Sequence, residues 1–319
     1  MNRDKRRTVE DAGGSGYPDR TPLRAVSTQD RDAFAGARSS AWVERWRWLR
    51  PSAMLAFVFL GAYLLISLFP IYWIIISSIK TRVDTLAMPP VWFFRPTFKA
   101  YLDVFVFESY GKYFFNTTVI ALSTTTISLA VGSMAAYVMD RYRFRFSDLI
   151  AYSLLATRMI FPIVYAIPLF LLFRDLGLLD THIGLIIAYT TFSLPYAVWI
   201  MSGFFAAVPR EIDEAAMVDG CSRFGAYCRV ILPLTAPGLA AATIFILLLS
   251  WNEFLFALVL AGGGKAKTLP VAAAQLIGQR EIEWNALCAV STATIVPLLA
   301  FFSLVHKYLL RGMIAGAVK

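Results

Sequence analysis

Histidine and cysteine are scarce in this sequence. Only His182 and His306 occur among 319 residues, and they stand far apart. That leaves little material for a histidine metal site or a serine–histidine pair. The cysteines, Cys221, Cys228 and Cys288, are odd in number and irregular in spacing, which argues against a disulfide framework. Charge is thin as well. Asp, Glu, Lys and Arg make up 16% of the chain, against about 25% in ordinary soluble domains. No paired catalytic carboxylates stand out, so an intramembrane enzyme has little to work with. Gly262-Gly263-Gly264 before Lys265 is not a phosphate loop, because Ala266 follows and the leading glycine spacing is missing. A flexible turn is the reading there.

Apolar side chains fill the space those residues leave. They are 58% of the sequence, and the mean hydropathy is +0.61. Six apolar runs fall at about 54–79, 114–139, 149–173, 183–205, 237–260 and 285–310. Each is near the ~20 residues that cross a ~30 Å hydrocarbon core, and none alternates as a strand would. The fold class expected is an all-α membrane protein with six transmembrane helices. Pro70, Pro162, Pro168, Pro195 and Pro297 lie inside the runs, which predicts bent helices in a bundle. Residues 1–48 are polar, without apolar periodicity or a cleavable signal pattern, and read as a flexible cytoplasmic tail. Residues 49–319 form the membrane domain.

The net charge is +9. In a soluble protein that would suggest nucleic acid, but here the basic residues flank spans, and no nucleic-acid partner is expected. With the N-terminus inside, 20 of the 30 Lys and Arg face the cytoplasm and 9 face outward, with Arg158 inside a span. Both termini are therefore placed in the cytoplasm. The outer loops are 80–113, 174–182 and 261–284.

One polar island, 207–234, interrupts the oil. Pro209 suits a first helical turn, and Glu211, Asp213 and Glu214 complement the positive end of a helix dipole. Gly220 can take the left-handed conformation that closes a helix, and Ser222 can cap a second one. Phe224, Tyr227, Cys228 and Ile231 would share its apolar face, and Pro233 would end it. Such an elbow belongs in water. Glu214 either pairs with Arg210 one turn back or meets a cation on a soluble partner.

The island carries Glu214-Ala215-Ala216, then Gly220, then Val230, Leu232 and Pro233 at fixed spacing. This pattern resembles the loop that marks permease subunits of ABC importers, although Ile is commoner where Val230 stands. Asp219 beside Gly220, the closing residues 312–319 and the stretch Ser250 to Phe254 are similar to the MalG-like carbohydrate branch of that family. The resemblance covers about residues 50–319. It implies the type I importer permease fold, with the island as a cytoplasmic coupling helix seated on a dimeric ATPase. Glu214, Ala215, Ala216, Asp219, Gly220, Leu232 and Pro233 would form that coupling element. Gly316, Ala317, Val318 and Lys319 would touch the ATPase as well. A second homologous permease and an extracytoplasmic sugar-binding protein are the other implied partners. ATP and Mg would sit on the ATPase, with no cofactor on this chain, in a bacterial or archaeal plasma membrane.

Arg158 and Glu253 are ionisable residues within spans. A central charge of this kind costs roughly 2.5–3.5 kcal/mol on insertion scales, so neither should face lipid. Trp251, Asn252 and Glu253 join an aromatic face to acceptors, the chemistry of a sugar site, and with Arg158 they form the candidate substrate path. The alternative is a polar cluster binding helix to helix. The cargo implied is a di- or oligosaccharide; another solute such as a glycerol phosphate, polyol or peptide is the competing reading.

Overall fold

A computed structural model describes residues 51–142, 145–277 and 282–316. By internal contacts the chain divides into two units, at Leu68 and Phe69. The first unit's described part is the opening of α1 (Pro51–Ser78), an apolar helix carrying Pro70 further along. The tail read at 1–48 lies outside the described residues.

Among the described residues the second unit's regular elements are all helical, with only an isolated bridge between Ile277 and Ile282 besides. After α2 (Arg82–Leu86) and α3 (Lys99–Leu102) comes a π turn, Asp103–Phe107. The long α4 (Tyr110–Arg141) follows, then α5 (Ser147–Met159), α6 (Pro162–Asp175) and α7 (His182–Ala206). The island holds α8 (Arg210–Val218), α9 (Arg223–Ala226), a π turn at Tyr227–Ile231 and α10 (Leu232–Leu234). Then come α11 (Ala236–Trp251), α12 (Leu255–Leu260), α13 (Leu269–Gln275) and α14 (Trp284–Gly316).

Four helices, α1, α4, α7 and α14, are long and apolar enough to cross a membrane, and two bent pairs bring the total to as many as six. The third expected span, 149–173, is not one rod. It breaks between α5 and α6 with a 98° bend. Pro162 forces the reason: Ile160 and Phe161 are extended (ψ 128° and 131°), as residues before a proline tend to be, and Pro162 opens the next helix without needing a donor. The fifth, 237–260, is likewise split between α11 and α12. A second sharp bend, 79°, separates α9–α10 from α11 at Thr235.

The bundle is built on α4 against α7. A Cβ on Gly132 would collide with the Ala197 Cβ, so the two backbones approach as closely as small residues allow. Ile120, Leu185, Ala188 and Tyr189 bury one part of this seam, and Tyr137, Met201, Phe205, Tyr227 and Ile231 bury another. Near the start of α4, Gly262 to Gly264 form a turn, with Gly264 at φ +92°, and the residues just after it are clasped. The Asn116 amide donates to the Lys265 and Lys267 carbonyls (3.0 and 2.9 Å). The Asp180 carboxylate accepts from the backbone N–H groups of Lys265 and Ala266, each at 3.0 Å.

Gly132→Leu is therefore expected to pry α4 from α7. Overpacking of this kind costs about 1–3 kcal/mol, which should lower the thermal unfolding temperature of the purified protein, while the same change at Gly203, where nothing lies within 4 Å, should not.

Candidate functional site

The island folds as an elbow. Pro209 takes the capping position just before α8, and Glu211 and Asp213 lie in the first turn, where acids meet the positive helix end. Gly220 has φ +88°, the left-handed turn expected of it. Ser222 accepts from the Gly225 N–H at 3.1 Å and starts α9. Beyond this the second helix departs from expectation. A π turn over Tyr227–Ile231 shifts its register. Tyr227 and Ile231 are buried, but Phe224 and Cys228 are exposed, and Ala226 joins the inner face instead. Pro233 does not end the helix; it sits in α10, and the chain bends at Thr235.

The faces of α8 differ in chemistry. Glu214, Ala215, Met217, Val218, Asp219 and Gly220 are exposed, whereas Ala216 and Asp213 are buried. Asp213 is the anchor that the sequence reading missed. Its carboxylate accepts from the Tyr137 hydroxyl at 2.7 Å and forms an ion pair with the Arg141 Nε, also 2.7 Å. Both charged side chains are more than nine-tenths covered. Arg141 further pairs with Asp140 at 2.8 Å and donates to the Val208 carbonyl at 2.9 Å. Arg210 does not pair with Glu214. It reaches the Asp140 carbonyl instead, at 2.8 Å. Of the two readings of Glu214, the local pair with Arg210 does not form, and only the folded elbow brings Arg141 beside Asp213.

The intramembrane polar residues gather around a cavity of about 310 Å³, lined by Arg158, Tyr189, Ser193, Ser250 and Glu253. Its apolar wall includes Phe161, Phe192 and Phe256. Glu253 sits in the break between α11 and α12, where it accepts from the N–H groups of Phe256 (2.9 Å) and Ala257 (3.2 Å). The carboxylate thereby satisfies a helix end that lipid could not. Arg158 lies above the Tyr196 ring at 4.1 Å and donates to the Tyr196 hydroxyl and the Phe192 carbonyl. It forms no ion pair with Glu253 among the described residues. The Ser250 hydroxyl and the Arg158 Nε are buried without a hydrogen-bond partner, and the Tyr189 hydroxyl is turned toward Glu253.

Two expected members are elsewhere. Trp251 is 1% exposed and packs edge-to-face on Phe114 at 5.9 Å, away from the cavity. Asn252 is exposed and donates to the Leu248 carbonyl of its own helix at 2.9 Å. Phe192 and Phe256, stacked at 4.3 Å, supply the cavity's aromatic face. Phe256 follows Glu253 by nearly one helical turn, a spacing the sequence carried; Phe192 is distant in sequence and had no such signal. Of the expected C-terminal contact, Gly316 ends α14 and Ala317 to Lys319 lie outside the described residues. Among the described residues, no three of His, Cys, Asp and Glu gather where a metal could bind.

Comparison with known proteins matches residues 128–315 to the family described as binding-protein-dependent transport system inner membrane component. The trehalose/maltose transport system permease protein MalG of Thermococcus litoralis is 33% identical, over 82% of this chain and 95% of that protein. The sulfoquinovosyl glycerol transport system permease protein SmoH of Agrobacterium fabrum is 33% identical, over 83% and 93%. Among solved structures, a bacterial ABC transporter involved in import of the acidic polysaccharide alginate contains a chain with a TM-score of 0.68 and 24% identity, covering 82% of this chain and 98% of that one. That likeness bears on the fold.

Asp213→Ala should leave Arg141 buried and unpaired, at a cost of about 3–5 kcal/mol. Thermal unfolding of the purified complex is expected to show it, with Glu214→Ala unchanged because that side chain is exposed. Equal unfolding temperatures for the two variants would remove the anchor role.

Proposed function

The chain belongs to the family of binding-protein-dependent transport system inner membrane components, and we propose that it is one of two homologous permease subunits of an ATP-driven importer of di- or oligosaccharides. The observation that carries this reading is the two-faced α8. Its outer side offers Glu214, Ala215 and Val218 to a partner, while its inner side is tied through Asp213 to Arg141 on α4.

The work is mechanical. ATP and Mg bind a dimeric cytoplasmic ATPase, and the chain itself hydrolyses nothing. When the ATPase closes, a groove on it moves α8, and the buried ion pair passes that displacement to α4. Because α4 packs along α7, the seam between them shifts, and the cavity's access changes from outside to inside. Cargo biases this switch only through different affinity for its two states. Glu214 pairs with a cation of the ATPase, Gly220 permits the turn, and Leu232 and Pro233 lead back to the bundle. Gly316 to Lys319 add a second ATPase contact. Both termini are cytoplasmic, as the Lys and Arg distribution favours. An extracytoplasmic binding protein delivers the sugar.

The cavity supports a sugar path by its chemistry. Stacked aromatic rings suit the C–H faces of a pyranose, and the unpartnered hydroxyl of Ser250 suits its oxygens. Two of Arg158's nitrogens are already engaged by Phe192 and Tyr196, which favours a neutral cargo over a phosphorylated one.

Glu214→Lys is expected to leave assembly intact and to reduce both uptake and cargo-stimulated ATP hydrolysis at least about tenfold, the scale of losing a desolvated charge pair. Normal rates in a fully assembled complex would count against the coupling role. Ser250→Ala is expected to reduce uptake roughly three- to tenfold, the worth of one hydrogen bond, and to do so unequally across sugars. Identical kinetics for several sugars would exclude the cavity from the path.

A further inference from the structure

Among the described residues, one long apolar helix has neither a proline nor a break. The helices α1, α7 and α14 carry Pro70, Pro195 and Pro297, and the runs 149–173 and 237–260 are interrupted. By contrast α4 continues for 32 residues, from Tyr110 to Arg141, without a proline. Proline removes a helical hydrogen bond and is where long helices most often give way, so α4 lacks that weak point. At about 1.5 Å per residue it is ~48 Å long, more than the ~30 Å hydrocarbon core.

Both ends of this rod are tied by buried polar bonds. At the C-terminal end, the Arg141–Asp213 pair is joined by a hydrogen bond of 2.8 Å between the Ser133 and Tyr227 hydroxyls, so the elbow is held at two places. At the other end, Asn116 and Thr117 are each 2% exposed. The Asn116 amide holds the carbonyls of Lys265 and Lys267, and its oxygen meets the His182 Nε2 at 2.8 Å. The Thr117 hydroxyl accepts from the Leu269 N–H at 2.8 Å, and the Tyr110 hydroxyl donates to the Ala272 carbonyl at 3.0 Å. Leu269 and Ala272 are buried in one cluster with Tyr110. Residues 265–272 therefore cannot slide on α4 without breaking several buried hydrogen bonds, each costly to leave unmade. Asp180, in the turn between α6 and α7, holds the same segment from another side through the N–H groups of Lys265 and Ala266. Thr117 and Arg141 stand ~36 Å apart along the helix.

We propose that α4 is a strut linking the coupling elbow to residues 265–275, with Asn116 and Thr117 as the positioning residues at its outer end. The inference rests on the permease reading, which puts the elbow in the cytoplasm and this segment on the opposite side of the membrane. A loaded binding protein that docks on the outer segment acts on the elbow through one continuous element. The elbow acts back on the outer segment through the same element, because coupling between two sites is reciprocal.

The test uses the full chain in its assembled importer in phosphatidylcholine nanodiscs. The probe is the external binding protein carrying the solute it retains on purification, and the readout is its fold-stimulation of ATP hydrolysis. Thr117→Val keeps the side chain's shape and loses the acceptor for Leu269. It is expected to lower the stimulation about three- to tenfold, the scale of one buried hydrogen bond, and Thr117→Ser is expected to restore it. Asp180→Ala frees the same segment from the α6–α7 turn but leaves it on α4, and should keep most of the stimulation. Full stimulation in Thr117→Val overturns the strut. So do equal losses in Thr117→Val and Asp180→Ala, which would mean that the segment needs only to be ordered, or a failure of Thr117→Ser to restore the response. If Thr117→Val does not assemble, Tyr110→Phe, which loses the Ala272 bond, is read in the same way. An unaltered complex that shows no stimulation overturns the permease reading, and the strut with it.

Discussion

A buried ion pair joins the polar and the apolar halves of this protein. Arg141 ends the central helix α4, and Asp213 lies on the inner face of α8. Isolated, either charge would be costly to cover. Together, with the Tyr137 hydroxyl and the Val208 carbonyl filling remaining sites, they make the elbow part of the bundle. The outer face of α8 can then stay exposed and chemically specific.

The same constraint, that polar groups away from water must find partners, shapes the broken helices. Pro162 separates α5 from α6, and the interruption after Trp251 separates α11 from α12. At the second break Glu253 takes the place of the missing helical carbonyls and binds two N–H groups of α12. Arg158, near the first, reaches across to the Phe192 carbonyl of α7. Both charged residues line one cavity. Their structural and transport readings are thus not rivals. A charged group that repairs a helix break in the membrane also brings polarity to the place where the helices part.

Legibility in the sequence followed the range of the interaction. Four of the six apolar runs, the left-handed Gly220 and the Ser222 cap depend on residues within a turn or two of each other, and the folded chain has them where they were expected. The apolar face of the second island helix did not hold, because a π turn changes the angular count that periodicity assumes. The Arg210–Glu214 pairing and the place of Trp251 also differ, since each was read from neighbours in sequence and answered by residues from other helices.

The amino-acid sequence by itself determined a helical membrane protein with a water-exposed elbow, because hydrophobic length and glycine or proline geometry are local properties. It also determined the family, through residues at fixed spacing. Tertiary structure alone decided that Asp213 is the anchored acid and Glu214 the presented one, for adjacent residues on a helix differ only in what packs over them. It likewise decided that Phe192 and Phe256 face Glu253 while Trp251 turns away, since which side of a helix meets a cavity depends on where its neighbours lie.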